Sequence, residues 1–128
     1  MARRKRQFFV AIVDDDAGIR AAVEALLNSN GMRARSFASA EAFLQSAQGA
    51  QAGCLILDYR LPGMNGLELQ RELEAQGRVI PIIFATADDA IFKLQSAQPK
   101  ALAVLPKPFD SEELVRLVKA AAEAGPRR

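Results

Sequence analysis

The chain has 128 residues, half of them apolar and a quarter charged, with a formal charge of +2. That length suits one domain with a single core of ordinary size, and no apolar run approaches the ~20 residues of a membrane span. One cysteine rules out an internal disulfide, and the lack of histidine rules out an ordinary zinc–histidine site or a phosphohistidine donor of the chain's own.

Residues 1–7 read as a basic tail carrying Arg3, Arg4, Lys5 and Arg6. With Arg127 and Arg128 these make six of the 17 basic residues, so the body holds 11 basic against 15 acidic residues, or −4. The tail reads as a solvated arm in preference to one that touches nucleic acid. Phe8 to Val13 is the first strand candidate. Asp14-Asp15-Asp16 ends it, which argues against a secretory signal. Asp16 is placed to cap a helix in which Ile19, Ala22, Val23, Leu26 and Leu27 repeat at helical spacing, with Gly31 as the stop. Met32 to Phe37 is a second strand, and Arg33, Arg35 and Ser36 suit it to a sheet edge. A helix over Ser39 to Ala47 leads to a third strand, Gly53 to Leu57, in which Cys54 reads as a small core residue.

Asp58 follows, then the turn Tyr59-Arg60-Leu61-Pro62-Gly63-Met64-Asn65-Gly66 and a helix over Gly66 to Gln76. Ile80 to Ala85 is the fourth strand, with Pro81 near its start, where a missing N–H is tolerated. Thr86 ends it. A helix over Asp88 to Gln98 places Ile91 and Phe92 in the core, and Ala101 to Leu105 is the fifth strand. After Lys107, Asp110 is expected to cap a helix marked by Leu114, Leu117, Val118 and Ala121, with Glu113 completing a capping box. Residues 125–128 read as a tail or the start of a linker.

Strands alternating with amphipathic helices predict an α/β protein built on a doubly wound parallel sheet. Four of the five strands are nearly unbroken apolar runs, the pattern of strands covered on both faces. In such a sheet the C-terminal strand ends open onto one edge. That edge would receive Asp14 and Asp15 from the first strand, Asp58 from the third, Thr86 from the fourth and Lys107 from the fifth. Two carboxylates ~4 Å apart repel by about 4 kcal/mol at an effective dielectric near 20. Three therefore call for a cation, and oxygen ligands alone suit Mg²⁺. Lys107 and the Thr86 hydroxyl would hold phosphoryl oxygens, leaving Asp58 as the nucleophile on phosphorus.

The set resembles the receiver domain of bacterial two-component response regulators. Ile12-Val13-Asp14-Asp15, Leu57 to Gly66, Ile83-Phe84-Ala85-Thr86-Ala87 and Lys107-Pro108-Phe109 carry the resemblance, in order, along residues 8 to 122. Leu61 to Gln70 looks most like the nitrogen-fixation-type (LuxR-output) subgroup. The resemblance implies a flavodoxin-like (βα)5 domain over residues 8–124 with strand order 2-1-3-4-5. It implies that Asp58 takes a phosphoryl group from a histidine kinase or phosphotransfer protein in the cytoplasm. Asp14, Asp15, Asp58 and the Arg60 backbone carbonyl would hold Mg²⁺, and Lys107-Pro108 would be a cis peptide. Such a domain is a signalling module, not an enzyme beyond its own phosphorylation and slow dephosphorylation. It has no membrane partner, and nucleic acid is reached only through an output domain outside these residues.

Two features depart from the family pattern. Val104 stands where an aromatic residue usually follows the inward movement of the threonine, here Thr86. Pro99-Lys100-Ala101 stands in place of Ala-Gly-Ala, with the segment one residue short. Both fall on the face of the fourth helix, fifth strand and fifth helix, through which family members commonly dimerise. Arg60 and Asp88 flank the path of an attacking water and would tune phosphate lifetime. Two other readings stay open. A haloacid-dehalogenase-like phosphatase would use Asp14 as nucleophile but leaves Asp58 idle, and a pseudo-receiver would bind partners without phosphorylation.

Overall fold

The computed structural model describes residues 8–47, 49–87 and 101–124. Five short strands form one parallel sheet: β1 (Phe9–Val13), β2 (Arg33–Phe37), β3 (Cys54–Asp58), β4 (Ile82–Thr86) and β5 (Ala103–Pro106). Their order is β2-β1-β3-β4-β5, as expected, with β2 at one edge. Helices α1 (Ala17–Ser29), α2 (Ala40–Gln45) and α3 (Gly66–Ala75) and a 3-10 turn at Gly49–Gln51 lie in the crossovers, and a C-terminal helix (Ser111–Ala124) follows β5. The predicted helix over 88–98, with Asp88, Ile91 and Phe92, lies outside the described residues, as do Pro99, Lys100 and both tails. Among the described residues no helix is long and apolar enough to cross a membrane.

The period of two along each strand divides the core between the faces of the sheet. Ala11, Val13, Leu55, Leu57, Ile82 and Phe84 cluster with Phe43 of α2 and Leu69 and Leu73 of α3. Val10, Ile12, Cys54, Ile56 and Ile83 cluster with Val23 and Leu27 of α1 and with Leu114 and Val118 of the C-terminal helix. Each large apolar side chain taken from water this way stabilises the fold by about 1.5–3 kcal/mol. Unbroken apolar runs were needed because both faces of the strands are covered.

Local chemistry sets the helix ends. Asp16 caps α1 by accepting from the Ile19 N–H at 3.1 Å, as anticipated. Gly31 supplies the left-handed turn after α1, with φ +78°. Asp110 accepts from the Glu112 and Glu113 N–H groups. The complete capping box stands at α3, where Asn65 and Glu68 bond each other's backbone N–H, both at 2.9 Å.

Several boundaries differ from the sequence expectation. The parallel ladder runs further toward the C-terminal edge than the apolar runs do. Asp58 pairs with Ala85 and Thr86 with Pro106, so both polar residues lie inside strands and not after them. At the other end β4 begins at Ile82, although the Pro81 carbonyl still accepts from the Leu55 N–H at 2.9 Å. α2 is also shorter than predicted, ending at Gln45. β5 reads as a covered apolar run, yet Ala103 and Val104 are only half-buried.

Candidate functional site

The strand order reverses direction at β1, because β1 is followed in space by β2 on one side and β3 on the other. Open α/β sheets form a crevice beyond the strand ends at such a switch point. Val13 pairs with Leu57, so the next residues, Asp14 and Asp58, sit level with each other on either side of it. Both are nearly buried, at 4% and 8% exposure. Asp15, one residue on, is exposed.

Ligand oxygens of Asp14, Asp15 and Asp58 all lie within 4.8 Å of one another. Lys107, carried just past β5, reaches into this group. Its Nζ donates to Asp14 Oδ2 at 2.6 Å and to Asp58 Oδ2 at 3.1 Å. The Lys107 N–H donates to the Thr86 carbonyl at 2.8 Å, which fixes where the lysine leaves the sheet. The Lys107–Pro108 peptide is cis, as the resemblance implied. Thr86 is fully buried at the end of β4.

Burial pushes the Asp58 carboxyl above its usual range, and the hydrogen bond and charge of Lys107 offset only part of that rise. Burial also works against the Lys107 charge, but its hydrogen bonds to Asp14 and Asp58 outweigh this and raise its affinity for the proton. The buried end of the crevice thus favours one positive charge against two carboxylates. An oxygen-only set of three carboxylates, two of them nearly dry, fits a hard divalent cation of the Mg²⁺ type.

Two supports of this geometry were not anticipated. Arg20 on α1 donates to the Asp14 carbonyl at 2.8 Å and so holds the start of the acidic loop. Gly66 lies so close to β3 that an added Cβ would be 2.7 Å from the Asp58 carbonyl oxygen. Only glycine lets α3 begin there. The Gly66 N–H closes the turn after the strand by donating to the Tyr59 carbonyl at 3.0 Å.

A family model described as the response regulator receiver domain matches residues 10–119. The chain belongs to the response regulator receiver family. It is 38% identical over 120 residues to response regulator protein TmoT of Ectopseudomonas mendocina, covering 93% of this chain and 54% of that protein. It is 33% identical over 113 residues to the transcriptional regulatory protein FixJ of Bradyrhizobium diazoefficiens, covering 88% of this chain and 55% of that one. The chain therefore spans about half the length of the curated relatives it matches. Among solved structures, FixJ-N superposes with a TM-score of 0.82 at 30% identity, covering 97% of this chain and all of that one. Response regulator StyR superposes with a TM-score of 0.83 at 37% identity, covering 93% of this chain and 61% of that one.

Membership settles the choice between a receiver and a dehalogenase-like phosphatase in favour of the receiver. Receiver domains bind Mg²⁺ at an acidic pocket, and this receiver has an aspartate cluster of that kind. Of the residues singled out from sequence, the structure brings Asp14, Asp15, Asp58 and Lys107 together. Thr86 stands one position further along the sheet edge, on β4. Arg60 is exposed in the turn, its N–H donating to Asp58 Oδ1 at 3.1 Å. Val104 pairs with Phe84 in the sheet and packs, half-buried, against the core on the α2 and α3 side.

Proposed function

We propose that this receiver accepts a phosphoryl group on Asp58 and passes the change to a partner. The observation that carries the reading is the Lys107 ammonium bonded to both Asp14 and Asp58 at the buried end of the crevice. A cation already balances the nucleophile there, and two further carboxylates stand beside it.

In the step proposed, an Asp58 carboxylate oxygen forms a bond to phosphorus as the bond from phosphorus to the donor's imidazole nitrogen breaks. The imidazole leaves with the electron pair, and Asp58 becomes an acyl phosphate. A small acyl phosphate serves in the same way, with its carboxylate as leaving group. Asp14, Asp15, Asp58 and the Arg60 carbonyl would hold Mg²⁺. When bound there, Mg²⁺ neutralises the carboxylates and draws charge from the phosphoryl oxygens. Lys107 exchanges its hold on the Asp58 oxygen for a phosphoryl oxygen, and the Thr86 hydroxyl donates to another. Asp58 needs no base, since a carboxylate is the reactive form. What the site must supply is alignment and positive charge.

The donor is a histidine kinase or a phosphotransfer protein, the partner that the receiver family implies. The receiver unit is residues 8–124, between a basic N-terminal segment and residues 125–128, which form a tail or the start of a linker, and it works in the cytoplasm on its own phosphorylation and slow dephosphorylation. The output lies on the face of the predicted fourth helix, β5 and the C-terminal helix. There Thr86 moves toward the phosphoryl group and Val104, lacking a ring, follows by backbone shift. Phosphorylation alters partner binding or self-association through that face. Arg60 and Asp88 tune phosphate lifetime.

Acetyl phosphate with Mg²⁺, followed by borohydride reduction and peptide mass mapping, should label Asp58. Asp58→Asn should abolish the label. Label that persists in Asp58→Asn would overturn the reading, and a wild type that neither labels nor binds Mg²⁺ would make the chain a pseudo-receiver.

A further inference from the structure

Glu41 belongs to the first turn of α2, on a different crossover from the acidic cluster. Its Oε2 accepts a hydrogen bond from the Met64 N–H at 2.9 Å, across 23 residues of chain. This bond pulls the Glu41 carboxyl below its usual range. The same oxygen presses on the neighbouring residue. Gly63 has φ +75°, and a Cβ added there would stand 2.7 Å from Glu41 Oε2. Glutamate at a helix start is commonly no more than a favourable charge at the positive end of the dipole. Here it is also aimed at a specific amide.

That amide lies in the turn that leaves Asp58. The turn is closed at its base by the Gly66 N–H to Tyr59 carbonyl bond, and Arg60 is tied to Asp58 Oδ1 at its entrance. Asn65 holds its exit through the capping box with Glu68. Leu61 is buried in the core on this side of the sheet, and Met64 packs against it. Glu41 thus adds a bond from outside to the far limb of a turn whose two ends are already fixed.

We infer that Glu41 is a positioning residue for the metal site, holding the turn from Arg60 to Asn65 so that the Arg60 carbonyl faces the aspartate cluster. The inference rests on the proposed Mg²⁺ site and adds α2 to the parts of the fold that control it. Backbone carbonyls are aimed by the turn that carries them, so a ligand of this kind can be lost without touching any carboxylate. Residues that orient a metal ligand from behind typically cost 10- to 100-fold in affinity when removed.

The test is calorimetric Mg²⁺ binding by the full chain, alongside amide hydrogen exchange read by NMR. Glu41→Ala should weaken Mg²⁺ binding by about tenfold, the lower end of that range, and speed exchange at Met64. Glu41→Gln keeps an acceptor oxygen and should recover most of the affinity. Unchanged exchange in the five strands shows that the variants fold. If Glu41→Ala frees the Met64 amide but binds Mg²⁺ as the wild type does, the inference is wrong while the site reading stands. If Gln behaves like Ala, charge and not positioning is at work, and the inference again fails. A wild type with no Mg²⁺ affinity removes the site reading and this inference together.

Discussion

β3 and β5 each deliver one member of the Asp58–Lys107 pair, and they could hardly hold their residues more differently. β3 lies between β1 and β4, and all five of its residues are buried. β5 is hydrogen-bonded to β4, and of its four residues only Leu105 is buried. Asp58 is thus fixed by one of the two fully buried strands of the sheet, and its counter-charge hangs just past one of the least buried. A phosphoryl group arriving at Asp58 would have to displace the lysine and not the aspartate. On the proposed function, that would put the conformational response on the β5 side, where Val104 and Lys107 are only half-buried.

The contrast is open to direct attack through core truncations. Leu57→Ala removes a fully buried side chain beside Asp58 and should cost about 3 kcal/mol by the usual range for such cavities. Val104→Ala on half-buried β5 should cost about 1 kcal/mol or less. Urea denaturation of both variants measures the difference. Equal losses would mean that β5 is as firmly held as β3, and the division of labour between them would be wrong.

The same asymmetry explains which parts of the molecule were legible in the sequence. The strand runs and the convergence of Asp14, Asp58 and Lys107 could be read because each apolar run gives way within two residues to a chemically distinct one, whereas the strand order came only with the family resemblance. The position of Asp58 within β3 could not, since ladder pairing with Ala85 leaves no mark in composition. The Asn65–Glu68 capping box is present as spacing in the sequence, although the spacing of Asp110 and Glu113 suggests a box at the other helix. Arg20 on the Asp14 carbonyl and Glu41 on the Met64 amide had no local signal, because their partners are set by how crossovers pack and not by any spacing along the chain. β5 misled for a related reason: an apolar run reads as covered whether or not its outer neighbour closes over it.

Removing the lysine sharpens the comparison at the site itself. Lys107→Ala leaves two nearly buried carboxylates without their shared cation. Loss of one partner from a fully buried pair costs about 3–5 kcal/mol, and the openness of this crevice to water should reduce that to about 2 kcal/mol. Melting in the presence of a chelator gives the number. Mg²⁺ at ten times its dissociation constant should stabilise the wild type by about 1.4 kcal/mol, and the lysine-free variant by more, since the divalent ion then supplies the missing charge. If Mg²⁺ stabilises the variant less than the wild type, lysine and metal do not address the same carboxylates.

The smallest effect comes from within β3. Burial pushes the Cys54 thiol up from 9.0 to about 12. In the unfolded chain the thiol ionises above its ordinary value, while in the fold it stays protonated to about 12, so the folded state holds more protons between those limits. Stability must therefore fall as pH rises through that window, by about 1 kcal/mol near pH 10. Lys107 contributes in a separate range. Its raised affinity for the proton gives stability that is complete below its ordinary 10.5 and is lost only as pH climbs through its higher folded value. Denaturation of wild type and Cys54→Ala from pH 8 to 10 thus reads the dryness of β3 before the β5 lysine begins to titrate. The wild type should lose stability over that range faster than the variant, by the amount stated. Parallel slopes would mean that water reaches Cys54, and a wet β3 could not hold Asp58 more firmly than β5 holds Lys107.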